Sequence, residues 1–295
     1  MCGIGGIFMP QGEHFRVEQV QDLWTLLEDR GTHAAGICYR WTDSDKDIVF
    51  KRDSPARELA SEVERLHGFN TTYAFFHTRY TTQGSTSYNG NNHPVVSQGI
   101  ILTHNGVISD RPIFNQLGVK PIHQVDTEAL NAALRHRSTS WLADNVHGSV
   151  SIAWVDTTQN QEKVHLFTNG RNPLVVARLN NGTVVWASTL QHIEEAGFDI
   201  EHSFNAEPFK QYDLYRNEEG YVVINSRRVS DQFREPTIAS MYRHTASYAS
   251  DVGYTTKKQK KRKNTPSKAK NQQFYAGMYY CQDEKCWKLA KNRRV

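Results

Sequence analysis

The pattern that most restricts what this chain can fold into is a succession of short apolar and β-branched runs, each closed off by turn residues. Residues 37–41, 48–50, 73–77, 99–103, 150–155, 164–167, 174–179, 184–187 and 221–224 all read as strands. Asn180-Asn181-Gly182 between two of them is a hairpin signal, because asparagine and glycine tolerate the positive φ of a tight turn. Helical patterns interrupt the runs. Val17, Val20, Trp24 and Leu27 recur at spacings of three and four and stop before Arg30-Gly31, and residues 58–66 have helical composition. Ala129, Leu130, Ala133 and Leu134 form a stripe behind Asp126, and a Ser188-x-x-Gln191 capping box opens a helix that stops at Gly197. Hairpin-linked strands with helices laid on their faces imply antiparallel sheets in an α+β layered fold.

This patterning fades after Val229. Residues 2–229 are expected to be the folded body, 230–273 a polar and basic linker without fixed structure, and 274–295 a short docking element carrying aromatics. Charge divides at the same place. Residues 257–295 hold 13 Lys or Arg against 2 acids, a net +11, so the remainder carries 22 basic and 29 acidic residues, a net −7. The basic run from Lys257 to Lys270, with Tyr275, Tyr279, Tyr280 and Trp287 beyond it, suits nucleic acid, an acidic partner protein or a solvated linker equally well. No run of 18 apolar residues and no leader pattern occurs, so neither a membrane partner nor export is expected. Four scattered cysteines, Cys2, Cys38, Cys281 and Cys286, fit a reducing, cytoplasmic setting. Cys281 and Cys286 lack companion ligands and no P-loop or dinucleotide fingerprint is present, so no metal and no cofactor is expected.

The chemistry begins at Met1-Cys2-Gly3-Ile4. With Met1 removed, Cys2 carries a thiol and an α-amine whose reference pKa values are roughly 8.5 and 8, so the amine can act as the thiol's own base near neutral pH. Hydrolysing the side-chain amide of a free amino acid needs a nucleophile, an oxyanion hole, an anion clamp and a carboxylate for the ammonium group. Arg79, on the same strand face as His77, suits a carboxylate; an arginine ending a strand is otherwise simply solvated. At Thr103-His104-Asn105-Gly106 a β-run stops at a turn where the Asn side-chain amide and the Gly N–H can converge as oxyanion donors, or merely turn the chain. Asp126 reads either as an ammonium anchor or as the N-cap of the helix that follows it.

Six segments occur in order: Cys2-Gly3-Ile4, Arg30-Gly31 with Gly36, His77-Thr78-Arg79-Tyr80-Thr81-Thr82-Gln83-Gly84, Asn92-His93-Pro94, His104-Asn105-Gly106 and Asp126-Thr127-Glu128. Together they resemble the glutaminase domain of class-II glutamine amidotransferases over roughly residues 2–225, with an order and spacing most similar to the glutaminase half of glucosamine-6-phosphate synthase. The resemblance implies an N-terminal nucleophile hydrolase fold, a four-layer α-β-β-α sandwich. It implies Cys2 as the nucleophile that forms a glutamyl thioester, Asn105 and Gly106 as the oxyanion pair, Arg79 as the clamp on the glutamine α-carboxylate with Thr82 nearby, and Asp126 as the ammonium anchor. Arg30 would order the nucleophile's loop, Tyr80 would gate the site, and residues 84–92 would fold over bound glutamine as a lid.

The chain departs from the family's pattern at His33, where an acid and its pairing are expected, at Gln83, at Arg171-Asn172-Pro173 and at Ser188-Thr189. No synthetase signature accompanies the glutaminase pattern, so ammonia is expected to pass to a synthetase-type partner on another polypeptide. A glutamine-binding regulatory module without turnover, and a nucleophile hydrolase acting on another amide, are the alternatives.

Overall fold

The computed structural model describes residues 1–42, 44–64, 71–159 and 161–231, and the backbone of three short strands between 274 and 289. The chain forms two units, Met1–Glu235 and Pro236–Val295.

In the first unit, β1 (Gly3–Phe8) is followed by α1 (Val17–Leu26), a 3-10 turn (Leu27–Arg30), β2 (Ala34–Trp41), β3 (Asp47–Arg52), the short α2 (Ala56–Leu59) and β4 (Thr71–Arg79). Then come β5 (Val95–Ser97), β6 (Ile100–Ile108), α3 (Arg111–Leu117), α4 (Thr127–His136), α5 (Thr139–Asn145), β7 (Gly148–Asp156) and β8 (Lys163–Thr168). The unit closes with β9 (Val175–Leu179), β10 (Val184–Ala187), α6 (Leu190–Glu195), β11 (Ile200–Asn205), β12 (Lys210–Arg216) and β13 (Val222–Arg228). The strands make a seven-stranded sheet in the order β11-β9-β10-β1-β4-β2-β3 and a six-stranded sheet in the order β13-β12-β8-β7-β6-β5. Every pairing in them is antiparallel.

Three apolar layers hold these elements together, and the period-2 alternation of strands assigns each residue to one of them. Phe75 and Phe76 are both fully buried neighbours on β4, and they face opposite ways. Phe76 joins Ile7, Ile37, Leu23, Trp24 and Leu27 beneath α1, whereas Phe75 joins Ile4, Phe8, Leu166, Trp186 and Leu214 between the sheets. A third cluster seals α3, α4 and α5 onto the far side of the six-stranded sheet through Leu102, Ile152, Phe114, Leu130, Ala133 and Leu142. The result is the four-layer α-β-β-α sandwich expected from the sequence. Among the described residues no helix is long and apolar enough to cross a membrane.

Several local expectations change. The strand β1 hides behind its glycines, which have low strand propensity and mask the alternation. They serve close approach: a Cβ on Gly6 would lie 2.6 Å from Cε2 of Trp186 and 2.6 Å from the carbonyl of Ala74. The expected helix over 58–66 starts earlier, as α2 behind Pro55, and tightens into a 3-10 turn (Ala60–Val63); Arg65 and Leu66 lie outside the described residues. The Ser188 capping box does not form. Ser188 is fully buried, and its Oγ accepts the N–H of Ile4 at 3.1 Å instead, pinning β10 to β1, so α6 starts from Thr189 without a side-chain cap. Asn105-Gly106 is not a turn, because β6 runs on to Ile108 with Gly106 opposite Val150. The helices α3 and α5 were missed although their caps are present, Asp110 accepting from Arg111 N and Ser138 from Trp141 N. The strands β5, β11 and β12 were missed because they are short or rich in polar residues.

In the second unit, Phe274–Tyr275, Met278–Cys281 and Cys286–Leu289 (β14, β15, β16) form an antiparallel three-stranded sheet whose register sets Cys281 opposite Cys286. The linker expected over 230–273 lies outside the described residues from 232 onward.

A Gly6→Ala substitution forces a methyl group into the Trp186 ring and the β4 backbone, and it is expected to cost about 2 kcal/mol or more. Urea unfolding of the purified protein measures this; a loss below about 0.5 kcal/mol would contradict the packing described.

Candidate active site

The strand β1 delivers Cys2 to the end of the seven-stranded sheet. Its register against β4, with Gly3 opposite Thr78 and Ile4 opposite His77, places Cys2 beside the residues that leave β4. The Sγ of Cys2 receives the N–H of Tyr80 at 3.4 Å and lies 3.6 Å from the Tyr80 carbonyl. Arg30, at the end of the 3-10 turn, donates its Nε to the Cys2 carbonyl at 3.0 Å, which fixes the backbone of that residue. Cys2 is 9% exposed, and burial pushes its thiol above the ordinary value. The Tyr80 N–H, the N-terminal ammonium and the charge of Arg79 act against that shift, and the charge of Asp126 adds to it. The thiol therefore stays protonated near neutral pH unless a base removes the proton.

Arg79 and Asp126 set opposite charges within electrostatic reach of this sulfur. Arg79 is 2% exposed. Its guanidinium donates to Oδ1 of Asn92 at 2.7 Å and to the carbonyls of Gln83 and Gly84, and among the described residues no carboxylate pairs with it within 4.0 Å. Burial lowers its pKa, so a bound carboxylate would relieve an uncompensated charge. Asp126 precedes α4 but does not cap it. Its Oδ2 accepts the N–H of Ile108 at 2.8 Å, and its Oδ1 stands 4.0 Å from Nδ1 of His104.

Asn105 and Gly106 lie between those two contacts on β6. The Asn105 side chain is fully buried, and neither its Nδ2 nor its Oδ1 has a partner among the described residues. Leaving such a group unsatisfied costs about 1–3 kcal/mol, which marks the amide as one held ready for something else. Gly106 must be glycine, since a Cβ there would strike the carbonyl of Ser149 and the ring of His104.

A buried histidine cluster braces this strand. His77 Nε2 donates to the His104 carbonyl at 3.1 Å, and the His77 ring stacks on His93 at 4.1 Å. Thr127 Oγ1 joins His93 Nε2 at 2.8 Å to His104 Nδ1 at 3.2 Å, and His104 Nε2 donates to the Ser149 carbonyl. That network assigns a neutral tautomer to each ring. Burial lowers all three pKa values, that of His77 to about 3.

The remaining expected residues fall nearer the surface. Tyr80 is half exposed and stacks on His33 at 4.9 Å. His33 supplies a pairing of its own where the family pattern has an acid, because its Nδ1 accepts the N–H of Thr81 at 3.0 Å. Thr82, expected beside the Arg79 clamp, is exposed and makes no hydrogen bond through its side chain among the described residues. The 84–92 segment is held down by two buried asparagines. Asn91 joins the Ser85 carbonyl to the backbone of Gln124, and Asn92 reaches the Thr86 carbonyl. Sequence reasoning missed Asn91, and it missed Lys51, which donates to the carbonyls of Asn92 and Pro94 and is pushed down to about 8 by burial. It also missed Glu128, which gathers the N–H groups of Ile122 and His123. The Asn89-Gly90-Asn91-Asn92 run was the visible signal for this loop. Among the described residues no cluster of three or more metal-ligating side chains occurs.

This geometry meets a known domain. Residues 77–195 match the glutamine amidotransferase domain family. That stretch is similar to a class-II glutamine amidotransferase domain. The glutamine–fructose-6-phosphate aminotransferase of Vibrio cholerae is 32% identical over 192 residues, which cover 63% of this chain and 30% of that protein. Its counterpart in Helicobacter pylori is 24% identical over 265 residues, 84% of this chain and 43% of that protein. The chain thus spans less than half the length of these curated relatives. Among solved structures, the glutamine phosphoribosylpyrophosphate amidotransferase from B. subtilis superposes with a TM-score of 0.61 at 21% identity, covering 78% of this chain and 50% of that one. A further structure, described as the allosteric regulatory enzyme of purine biosynthesis, gives 0.59 at 21%. These likenesses establish the N-terminal nucleophile hydrolase fold of the amidotransferase domain.

The low pKa of His77 makes the domain acid-sensitive. An unfolded histidine titrates near 6.5 and the folded one near 3, so the unfolded state binds the extra proton as pH falls. Stability is full above about pH 6.5 and declines below it, by roughly 2 kcal/mol from this one residue at pH 5. Urea midpoints at pH 7.5 and pH 5 should differ accordingly, and the difference should shrink in His77→Gln. Equal midpoints would contradict the neutral cluster.

Proposed function

We propose that the chain is the cytoplasmic glutaminase component of an amidotransferase, hydrolysing the side-chain amide of glutamine through a Cys2 thioester. The reading rests most heavily on Asn105, a buried amide without a partner on the strand next to the nucleophile's sheet. Glutamine's α-carboxylate would lie on Arg79 and its α-ammonium on Asp126, leaving the amide carbon facing Cys2. The raised thiol needs a base, and the α-amine of Cys2 serves once Met1 is gone. As sulfur attacks, the amide oxygen becomes an oxyanion received by Asn105 Nδ2 and Gly106 N–H. The proton held by the amine passes to the leaving nitrogen, ammonia departs, and water then releases glutamate from the thioester. Tyr80 and the 84–92 segment would shield that thioester from early attack.

Ammonia then passes to a synthetase-type acceptor on a separate polypeptide. The names of the relatives pair glutamine with fructose 6-phosphate, a sugar phosphate. The free thiols of Cys2 and Cys38 agree with a reducing compartment. The basic run from Lys257 to Lys270 lies outside the described residues; as a handle for an acidic partner or nucleic acid it has no part in the chemical step, so removing residues 257–295 should leave glutamine turnover intact.

A glutaminase assay tests the proposal directly. The protein freed of Met1 should release equal amounts of glutamate and ammonia. Cys2→Ala should abolish this, and Asn105→Ala should lower kcat by about 10²- to 10³-fold with a far smaller change in KM. Undiminished turnover in Cys2→Ala would overturn the mechanism, and binding of glutamine without turnover by the intact protein would leave a regulatory module instead.

A further inference from the structure

The Asn105-Gly106 peptide is gripped from behind by Asn172. Asn172 lies in the loop between β8 and β9 and is 8% exposed. Its Nδ2 donates to the backbone carbonyl of Asn105 at 2.7 Å, across 67 residues of sequence. Asn172 is itself fixed. Its own carbonyl receives the Ser151 hydroxyl at 2.8 Å and the Thr168 hydroxyl at 3.2 Å, and those two hydroxyls are 2.8 Å apart. Ser151 and Thr168 are buried on the neighbouring strands β7 and β8. The neighbouring Asn169 ties the same loop to β7, accepting the N–H of Val150 at 3.0 Å and donating to the carbonyl of Gly148 at 2.9 Å.

The consequence follows from the peptide bond. The Asn105 carbonyl and the Gly106 N–H belong to one planar trans unit and point in opposite directions. A hydrogen bond that fixes the carbonyl therefore fixes the direction of the N–H. It also anchors the backbone from which the unpartnered Asn105 side chain projects. The bond adds to the restraint of the ladder with β7 at a glycine, whose peptide has more rotational freedom than any other.

We propose that Asn172 is a positioning residue for the oxyanion hole, holding the Asn105-Gly106 peptide in the orientation that receives the oxyanion. The inference rests on the glutaminase reading of the site. Asn172 touches no reacting atom, so its effect falls on the tetrahedral state and not on the binding of glutamine, whose α-groups are held by Arg79 and Asp126.

The test uses Asn172→Leu, close in size but without a donor, and Asn172→Ala, each as the full chain freed of Met1. Two measurements accompany kcat and KM for glutamine. One is the affinity for L-glutamate γ-semialdehyde: the Cys2 sulfur bonds to the aldehyde carbon, the carbonyl π bond breaks, and the thiol proton ends on the oxygen, which occupies the oxyanion position. The other is the affinity for glutamate, which needs only the α-group contacts. Expected are a fall in kcat of about 10- to 100-fold, KM within about threefold, a parallel loss of semialdehyde affinity and unchanged glutamate affinity. Ser151→Ala, which loosens Asn172 without removing its donor, should give a smaller loss in the same two quantities, and it serves where the Asn172 variants fail to fold. Wild-type kcat and semialdehyde affinity in the folded variants would overturn the inference, as would kcat and glutamate affinity falling together. If the unaltered protein turns over no glutamine, it is the glutaminase reading that fails.

Discussion

The site depends on one pairing, the antiparallel ladder between β1 and β4. It sets Gly3 opposite Thr78 and Ile4 opposite His77, and so carries Cys2 to the Tyr80 backbone while Arg79 emerges from the partner strand. A register slip of one residue would turn every side chain of β1 to the other face, moving Ile7 from beneath α1 into the space between the sheets. The pairing is over-determined. Ser188 ties β10 to Ile4, Thr78 Oγ1 donates to the Leu27 carbonyl at 2.6 Å, and Trp24 Nε1 donates to the His77 carbonyl. Arg30 then closes the arrangement on the Cys2 carbonyl. The nucleophile candidate is thus positioned by backbone and core, with little left to its own flexibility.

Electrostatics adds a second constraint. Burial opposes ionisation of the Cys2 thiol, and the charges of Arg79 and Asp126 act on it in opposite senses. A zwitterionic amino acid would answer both charges at once, which neither a simple anion nor a simple cation would do. The neutral histidines beneath the site keep further positive charge away from Arg79, and their hydrogen bonds run from His93 through Thr127 and His104 to Ser149. That chain links α4 to the sheet at the point where Asn105 and Gly106 sit.

Much of this was legible in the sequence, and the gaps have physical causes. The strand runs with strong alternation and the helix behind Asp126 were read correctly, because their cores are apolar and regular. The glycine-rich β1 and the polar β11 and β12 were not, because their strand character comes from close packing and from pairing partners distant in the chain. Asn105-Gly106 read as a turn for the same reason, a local preference overridden by pairing with β7. At the site, residue types and order single out Cys2, Arg30, Arg79, Tyr80, Thr82, Asn105, Gly106 and Asp126 as candidates. The roles of Asn172 and Asn91 were not legible, since they hold backbone groups 67 and 33 residues away, and that of Glu128 was not, since it gathers N–H groups of an irregular loop.

The most direct test of Cys2 as the nucleophile is to quench the protein with acid during glutamine turnover and map the digest by mass spectrometry. A glutamyl group in thioester linkage to Cys2, on a peptide that begins with Cys2 itself, is the expected result. Turnover with the glutamyl group on another residue, or with Met1 still attached to the labelled peptide, would contradict it.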